Sequence, residues 1–334
     1  MAPHYSDPMQ RKGPVGRVVP GLAPCLDSNL ARHQRGHGDP THRHRHGTWW
    51  RASTTPEGPA LTEFTARGED VDVRAWGPGA GWALASAPRL LGSDDRLDVI
   101  AEDHPLRTHP VVGPLARAHL QPIGRSELVA ESLAPTVIEQ KVTGAEAFAA
   151  LRTLIRQYGT AVTWVDQGHP AAGMVCPPSA EQWVAIPSWA FVLAGVDPRR
   201  ARTLVAALAR VPALQRILDR QGYDDAVAAG EALAVALQSL PGIGPWTAAR
   251  VRQAAVGDPD AWSVDDYHVP GAISHALTGT RSSLEPGDSR HATVLLVPFR
   301  GHRYRVELLL ARAPRAERRG PRRSLPTHLP TRSW

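Results

Sequence analysis

The stretch LPGIGPWTAARV, which starts at Leu240, constrains the fold more than any other part of the sequence. The residues before it, EALAVALQSL, predict a helix with an apolar face. After it, Pro245 suits the first position of a second helix and Gly257 suits its C-terminal cap. Gly242 and Gly244 permit a tight turn because neither carries a side chain. The stretch therefore predicts two helices joined by a short hairpin, the second helix running from Pro245 to just before Gly257.

This hairpin also predicts a site for an anion. Backbone N–H groups in the turn and at the helix start point outward at one spot and carry partial positive charge. A DNA phosphate is the natural ligand, and we expect Gly242, Gly244 and Thr247 around it. A helix-turn-helix corner without a ligand could also use two glycines, so the hairpin by itself leaves both interpretations open.

The composition of the 334 residues limits the class of protein. An apolar fraction of 42% and ten tryptophans indicate a globular protein. There is no run of 18 apolar residues and no apolar core of signal-peptide type, so we expect no membrane span and a cytoplasmic location. Cys25 and Cys176 are the only cysteines, too few for an iron–sulfur cluster or a four-thiolate zinc site. We therefore expect no metal and no cofactor.

The charge of the chain favours a polyanionic partner. The formal net charge is +6 and the isoelectric point is near 9.9. The 38 basic residues include only two lysines, Lys12 and Lys141, and all the others are arginine. Almost no lysine is therefore available for chemistry that needs an amine.

Composition and periodicity divide the chain into four stretches. Residues 1–35 are rich in Pro, Gly, Arg and His and are predicted to be disordered or irregular. Residues 36–105 contain TWWRAST, PALTEFTA and DVDVRAW, which predict an antiparallel sheet in a small α+β domain. Residues 106–312 predict helix after helix, and residues 313–334 a basic tail. The HRHRH run, His42–His46, could bind a metal or could simply alternate along an exposed strand or loop.

Local capping patterns predict several helix starts. They are Thr143 with Glu146, Ser179 with Gln182, and Asp197 before Pro198. The first of these follows a break in helical periodicity at VTG. Lys141 is therefore predicted to lie exposed at the junction of two helices.

With these patterns in place, LPGIGPWTA resembles the helix-hairpin-helix of the DNA glycosylase superfamily. That superfamily has an essential aspartate a little over twenty residues beyond the hairpin, and WSVDDYHVP puts Asp266 22 positions after Gly244. The DDY form, Trp246 after the hairpin, the upstream IEQKV and the late FRGHRYRVELLL resemble the alkylbase branch, the type II 3-methyladenine glycosylases. The resemblance covers roughly residues 35–325. It implies a mainly α fold, with a small N-terminal α+β domain before a two-lobed all-α body that has a central cleft.

The resemblance implies that the chain excises bases from damaged double-stranded DNA, with Asp266 as the catalytic acid. Such cleavage passes through an oxocarbenium-like transition state, which a carboxylate near C1′ stabilises while it positions or activates the water. Asp265 is the alternative acid. Both aspartates could instead merely cap the next helix.

A flipped-out base needs aromatic or apolar walls, and four aromatic side chains are candidates. Trp246 and Tyr267 flank the two motifs, and Trp262 and Tyr304 are further candidates. A cationic base such as 3-methyladenine or 7-methylguanine would gain cation–π attraction on such faces. Each of these aromatics could equally be core packing.

The resemblance also implies a monofunctional enzyme. Strand-nicking relatives carry a nucleophilic lysine where this chain has Trp246. We therefore expect release of alkylated bases without AP-lyase activity. Lys141 aligns near the family's wedge, which fills the gap that the flipped base leaves, although it could be an ordinary surface lysine.

Two other functions remain open at this stage. A non-catalytic helix-hairpin-helix module would keep Gly242 and Gly244 but would not need Asp266. A glycosylase-lyase for oxidised bases or a glycosylase for another damaged base is the second alternative; the lyase is opposed by the missing lysine and the missing cysteine cluster. For the favoured enzyme we expect a monomer, associated with the nucleoid, whose partner is double-stranded DNA.

Overall fold

The computed structural model describes residues 13–279 and 288–313. In these residues the strands are β1 Val15–Val19, β2 His42–Arg45, β3 Thr48–Thr55, β4 Gly58–Arg67, β5 Asp70–Trp76, β6 Thr160–Ala161 and β7 Val175–Cys176. The helices are α1 Leu26–Ala31, α2 Ala80–Leu90, α3 Pro105–Thr108, α4 Val112–His119, α5 Val129–Ile138, α6 Gly144–Tyr158, α7 Ala180–Ala185, α8 Ser188–Ala194, α9 Pro198–Leu208, α10 Val211–Gln221, α11 Ala226–Gln238, α12 Pro245–Val251, α13 Val269–Thr278, α14 Arg290–Leu296 and α15 Arg303–Leu310. The predicted mainly helical fold with a small sheet is confirmed.

The first five strands form one antiparallel sheet in the order β1-β5-β4-β3-β2. Neighbouring side chains along a strand point to opposite faces, so Trp49 and Trp50 serve different cores. Trp49 packs with Leu30 and Leu90 on the face that α1 and α2 cover. Trp50 packs on the other face with Met174, which belongs to the β6–β7 segment. The sheet is therefore buried on both faces.

The prediction of disorder for residues 1–35 is wrong for the part that the structure describes. Strand β1 pairs with β5, with Val19 opposite Val71, and α1 buries Leu26 and Leu30 against the sheet. The partners of these residues lie far along the chain, so local Pro- and Gly-rich composition does not reveal them. Residues 1–12 lie outside the described residues.

The HRHRH run supplies an edge strand of this sheet. Strand β2 covers His42–Arg45 and pairs with β3. His42 is buried, whereas His44 and Arg45 are exposed. Across the described ranges no group of three or more His, Cys, Asp or Glu side chains is arranged to hold a metal ion.

The predicted helix starts are confirmed. Thr143 with Glu146 and Ser179 with Gln182 each form a reciprocal capping box. Asp197 Oδ1 accepts hydrogen bonds from the first free amides of α9. These caps depend only on residues close in sequence, which is why the pattern reveals them. No helix in the part of the chain that the structure describes is long and apolar enough to cross a bilayer.

The helical body has two lobes with separate cores. One core draws only on residues 129–256, which we call the insertion lobe. The other core draws on residues 100–116 and 262–310, which we call the split lobe. The two crossings between the lobes lie side by side, since the amide of Ser126 donates to the carbonyl of Ala254 at 2.9 Å. The boundary at residue 105 stays a prediction, and residues 314–334 of the predicted tail lie outside the described residues.

Candidate active site and hairpin

The hairpin between α11 and α12 uses its two glycines differently. Gly242 has a φ of +85°, and a Cβ there would lie 2.5 Å from Thr203 Oγ1. Both the backbone conformation and the space therefore require glycine. Gly244 is extended, with a φ of −99°, and no atom lies within 4 Å of the position of its Cβ. The start of α12 is therefore open in front of Gly244.

The helix after the hairpin follows the sequence prediction. It begins at Pro245 and continues beyond α12 as a π-helical turn, Arg252–Val256. Gly257, with a φ of +70°, ends it in the left-handed conformation. The predicted helix from Pro245 to just before Gly257 is confirmed.

Gln140, from the quoted IEQKV, fixes the hairpin from the side. Its Nε2 donates to the carbonyl of Gly242 at 3.1 Å and to Thr247 Oγ1 at 2.9 Å. Thr247 is 2% exposed, so its hydroxyl faces Gln140, and contact with a phosphate would be left to its backbone N–H. No local sequence pattern predicts this role for Gln140, because the bonds join residues that are far apart in the sequence.

Lys141 lies where the sequence predicts. It is exposed in the junction between α5 and α6 and has a φ of +56°, an uncommon conformation for a residue other than glycine. Because Gln140 contacts the hairpin, the adjacent Lys141 lies beside it. Its role as a wedge stays a prediction.

Asp266 connects the two lobes. Its Oδ1 accepts hydrogen bonds from the amides of His268 and Val269, at 2.8 and 3.1 Å, at the start of α13. Its Oδ2 accepts a hydrogen bond from Trp246 Nε1 at 3.0 Å. Trp246 belongs to the insertion lobe and Asp266 to the loop that enters the split lobe, and both are half-buried. Asp266 thus has the helix-capping contacts and, in addition, a bond to the residue after the hairpin.

Asp265 has different surroundings. It is exposed, has a φ of +60°, and its amide donates to Ser289 Oγ at 2.6 Å. The indole of Trp246 bonds to Asp266 and not to Asp265. Of the two aspartates, Asp266 is therefore the one that the hairpin side of the cleft contacts.

The other predicted aromatic side chains are scattered. Tyr267 is 60% exposed and meets the ring of His268 edge-to-face, with centroids 4.8 Å apart. Trp262 is buried in the core of the split lobe, and a wall role for it stays a prediction. Tyr304 is also buried, and its amide donates to the carbonyl of Pro259 at 2.9 Å. A wall role for Tyr304 and Tyr267 stays a prediction.

A buried hydrogen-bond network fixes the loop that carries Asp266. The amide and hydroxyl of Ser263 donate to the two carboxylate oxygens of Glu307, at 2.6 and 2.8 Å. Gln253 Nε2 donates to the carbonyl of Ala261 at 2.6 Å and to Ser263 Oγ at 3.0 Å. The amide of Asp266 donates to the carbonyl of Ser263 at 3.2 Å. Glu307 and Gln253 therefore hold this loop in register.

Burial shifts the acidity of Glu307. Desolvation raises the pKa of its carboxyl to about 7, although the two hydrogen bonds from Ser263 oppose the rise. Glu307 lies in the quoted FRGHRYRVELLL, but helical periodicity alone gave no sign that a carboxylate there would be buried. The site therefore contains a carboxyl that titrates near neutral pH.

Arg250 lies next to the same network. It follows Trp246 by four residues on one helix, so both lie on the same helix face. Its side chain is partly buried, and Nη1 donates to Gln253 Oε1 at 2.8 Å. Burial lowers the pKa of Arg250, but four nearby groups outweigh that effect and raise it: Glu139, Tyr304, Glu307 and Asp266. A cation thus lies among the acidic groups around Asp266.

The two lobes are in direct contact at Asp266, where the sequence predicts a central cleft. A cavity of about 50 Å³ lies between the sheet and α5, and a groove of about 420 Å³ lies beside β2 at Arg43 and Arg45. Neither includes Asp266 or Trp246. At that pair the two lobes approach to hydrogen-bond distance.

Sequence comparison identifies related DNA repair proteins, although no family model matches the chain. The chain is 33% identical over 197 residues to the probable bifunctional transcriptional activator/DNA repair enzyme AlkA in each of two strains of Mycobacterium tuberculosis. The match covers 55% of this chain and 34% of the relative. The chain thus spans about a third of the length of the curated relatives that it matches.

Structure comparison extends the similarity over most of the chain. A 3-methyladenine DNA-glycosylase from Archaeoglobus fulgidus superposes with a TM-score of 0.64 and 17% identity, covering 90% of this chain and 97% of that one. MBOgg1 in complex with a low-affinity DNA ligand gives 0.63 and 14%, covering 90% and 94%. An 8-oxoguanine glycosylase/lyase from Clostridium acetobutylicum gives 0.57 and 11%, covering 86% and 91%. These superpositions show that the chain shares the fold of these three proteins.

Proposed function

We propose that this protein is a monofunctional DNA glycosylase that excises alkylated bases from double-stranded DNA in base excision repair. The observation that carries the proposal is the carboxylate of Asp266, which is oriented by Trp246 from the hairpin lobe and by two amides of α13. A DNA-binding module without catalysis would need the two capping contacts with α13 but not the bond from Trp246. The similarity to a probable DNA repair enzyme, AlkA, and to a 3-methyladenine DNA-glycosylase supports this proposal.

The reaction needs a group that stabilises positive charge on the sugar. As the bond between C1′ and the base nitrogen breaks, its electron pair leaves with the base and the sugar becomes oxocarbenium-like. The carboxylate of Asp266 stabilises that charge. The oxygen of a water molecule then bonds to C1′, and the water proton leaves to Asp266 or to solvent. The products are the free base and an abasic site in an intact strand.

The identity of residue 246 supports a monofunctional mechanism. By the family resemblance, Trp246 occupies the place of the nucleophilic lysine in strand-nicking relatives. The indole nitrogen has its electron pair in the aromatic ring and cannot form a Schiff base with C1′. Among the residues that the structure describes, Lys141 is the single lysine, and it lies in the α5–α6 junction. The same chemistry explains why an alkylated base suits the site, since a cationic base is already a good leaving group.

The hairpin supplies the contact with the DNA backbone. The open space in front of Gly244 lets a phosphate approach the first N–H groups of α12, and those amides have no partner within the helix. Exposed Lys141 lies beside the same surface. Such contacts position the duplex without reading its sequence.

The proposal is tested with methylated duplex DNA incubated with the enzyme and divided into samples with and without hot alkali. We expect release of 3-methyladenine and 7-methylguanine, and strand breaks only after alkali. A covalent enzyme–DNA adduct trapped by borohydride, or breaks without alkali in a nuclease-free preparation, would contradict the monofunctional mechanism. Preferential release of 8-oxoguanine would contradict the substrate class.

A further inference from the structure

We propose that Arg250 reads the flipped-out base and makes the site selective for purines that carry an oxygen at C6, such as 7-methylguanine, over 6-aminopurines such as 3-methyladenine. The inference rests on the proposed function and specifies the substrate class of the same site. It assigns to Arg250 a role in selectivity, separate from the catalytic role of Asp266.

Arg250 lies on the helix that follows the hairpin. It lies one helical turn after Trp246, whose indole bonds to Asp266, so its guanidinium lies on the same helix face as the contact with the acid. Gln253, itself fixed to Ser263, accepts one N–H of that guanidinium. The side chain is thereby anchored at one end, within electrostatic influence of the carboxylate that the proposed function assigns to C1′.

The guanidinium of Arg250 has further N–H donors besides the one that Gln253 accepts. Within the described ranges, Arg250 forms no ion pair within 4.0 Å, and its bond to Gln253 is the one hydrogen bond that its side chain donates. Nearby carboxylates are already engaged: Glu139 with Arg35, Glu307 with Ser263, and Asp266 with Trp246. The free donors are not enclosed, since none is among the buried polar atoms that lack a partner. They therefore keep some solvent-accessible surface.

The charge of Arg250 is influenced by the acidic groups around it. Arg250 is the cation among three carboxylates and the Tyr304 hydroxyl, which together raise its pKa against the effect of burial. Its positive charge is thus already compensated by the protein. Its accessible donors have no acceptor from the protein, so a ligand atom can accept from them in place of water. A ligand that supplies such an acceptor completes the site.

The two bases differ in the hydrogen-bonding groups that they present to an arginine. Arginine donates to the O6 and N7 edge of guanine, the commonest specific arginine–base contact. 7-Methylguanine keeps the O6 acceptor, whereas 3-methyladenine presents an N6 amino group whose N–H donors oppose those of arginine. A DNA phosphate is the other acceptor that could meet Arg250, and it would affect both bases equally.

The test measures both bases in one reaction, because a single methylated DNA contains them together. Wild type, Arg250→Met and Arg250→Lys are compared by the ratio of initial release rates of 7-methylguanine and 3-methyladenine. Arg220→Met is the matched control, since Arg220 is exposed in the last turn of α10. We expect wild type to release both bases, Arg250→Met to lower the ratio about tenfold, and Arg250→Lys to give an intermediate value. The control should keep the wild-type ratio.

Three results would overturn the inference. Equal loss for both bases would mean that Arg250 contacts phosphate or supports the fold, and an unchanged ratio would mean that it does not face the base. Release of 3-methyladenine without 7-methylguanine by wild type would contradict the assigned preference while leaving the glycosylase proposal intact. If wild type released neither base, the proposed function itself would fail. Arg250→Lys keeps a positive charge at this position. The ratio can therefore still be measured with Arg250→Lys if Arg250→Met does not fold.

Discussion

The indole Nε1 of Trp246 donates a hydrogen bond to Oδ2 of Asp266 at 3.0 Å, and this bond crosses between the two helical lobes. The other carboxylate oxygen of Asp266 accepts two amides at the start of α13. The acid is therefore oriented by both lobes. A nucleotide whose C1′ atom comes close to the carboxylate of Asp266 must fit beside this hydrogen bond or displace the indole.

Changing Asp266 to Asn is expected to lower base release by about 100-fold or more while binding to undamaged DNA stays close to wild type. The charge at C1′ matters only as the bond breaks, so ground-state binding does not depend on it. Single-turnover release from methylated duplex measures the rate, and fluorescence anisotropy measures binding.

Asp265→Asn is the matched control, because Asp265 is exposed and does not bond to Trp246. It should keep most of the activity. If Asp266→Asn retained more than about a tenth of the wild-type rate, the assignment of the acid would be wrong.

Changing Trp246 to Phe is expected to slow base release about tenfold, since it removes one N–H donor to a carboxylate and keeps an aromatic ring. The double variant with Asp266→Asn should be no slower than Asp266→Asn alone, because the indole acts through that carboxylate. Single-turnover rates of the four proteins measure the coupling. If the two effects simply multiplied, Trp246 would act independently, for example as a wall for the base.

The two hairpin glycines are expected to respond differently to alanine. Gly242→Ala should destabilise the fold, because its φ is +85° and the new Cβ would meet Thr203. Gly244→Ala should leave the melting temperature nearly unchanged, since that position is extended and open. It should nevertheless weaken binding to damaged and undamaged duplexes alike, because the methyl group occupies the approach to the helix start.

Thermal unfolding and anisotropy on paired duplexes measure these effects. A Gly244→Ala protein that bound undamaged DNA normally and lost only selectivity for the damaged base would place the hairpin in the base pocket and not at the phosphate.

Glu307 predicts a dependence of stability on pH. Burial raises the pKa of its carboxyl from 4.5 to about 7, so the folded state holds this proton more tightly than the unfolded state. The contribution of Glu307 to the free energy of unfolding is therefore most favourable below about pH 4.5. It falls as the pH rises towards 7 and changes no further above that. Glu307→Gln lacks this titration.

Urea unfolding of wild type and Glu307→Gln at pH 5, 6, 7 and 8 tests this expectation. The difference in unfolding free energy between the two proteins should change by about 1–3 kcal/mol across that window, and wild type should become less stable relative to Glu307→Gln as the pH rises. The pKa of Asp258 is also raised by burial, to about 6, but both proteins share that residue, so the comparison removes its contribution. Parallel curves would mean that Glu307 has an ordinary acidity.

The features that the sequence predicts well are those built from neighbouring residues. The helix after the hairpin and the capping boxes at Thr143 and Ser179 depend on contacts within about four positions. Asp266 could be located because its spacing from Gly244 belongs to a recognisable motif. The bond between Asp266 and Trp246 needs the packing of the two lobes, which no local pattern contains.

The features that the sequence does not reveal are non-local. Strand β1 is held by a partner far along the chain, so its Gly-containing segment has no period of its own to identify it. Trp262 packs in the core of the split lobe with residues far along the chain, which its own position in the sequence does not reveal. Gln253 and Glu307 meet at Ser263 from separate helices, and a polar residue on a helix gives no local sign that it will be buried.

The division of the split lobe has a consequence for biosynthesis. The core of the insertion lobe is complete once residue 256 has been made, whereas the core of the split lobe needs residues up to 310. Because chains emerge from the ribosome N-terminus first and domains fold as units, the hairpin can form before Asp266 is fixed in place. Arrested nascent chains of increasing length are therefore expected to gain protease resistance in residues 129–256 before the residues of the split lobe do. On the proposed function, the growing protein would acquire its surface for DNA before its acid is positioned to release a base.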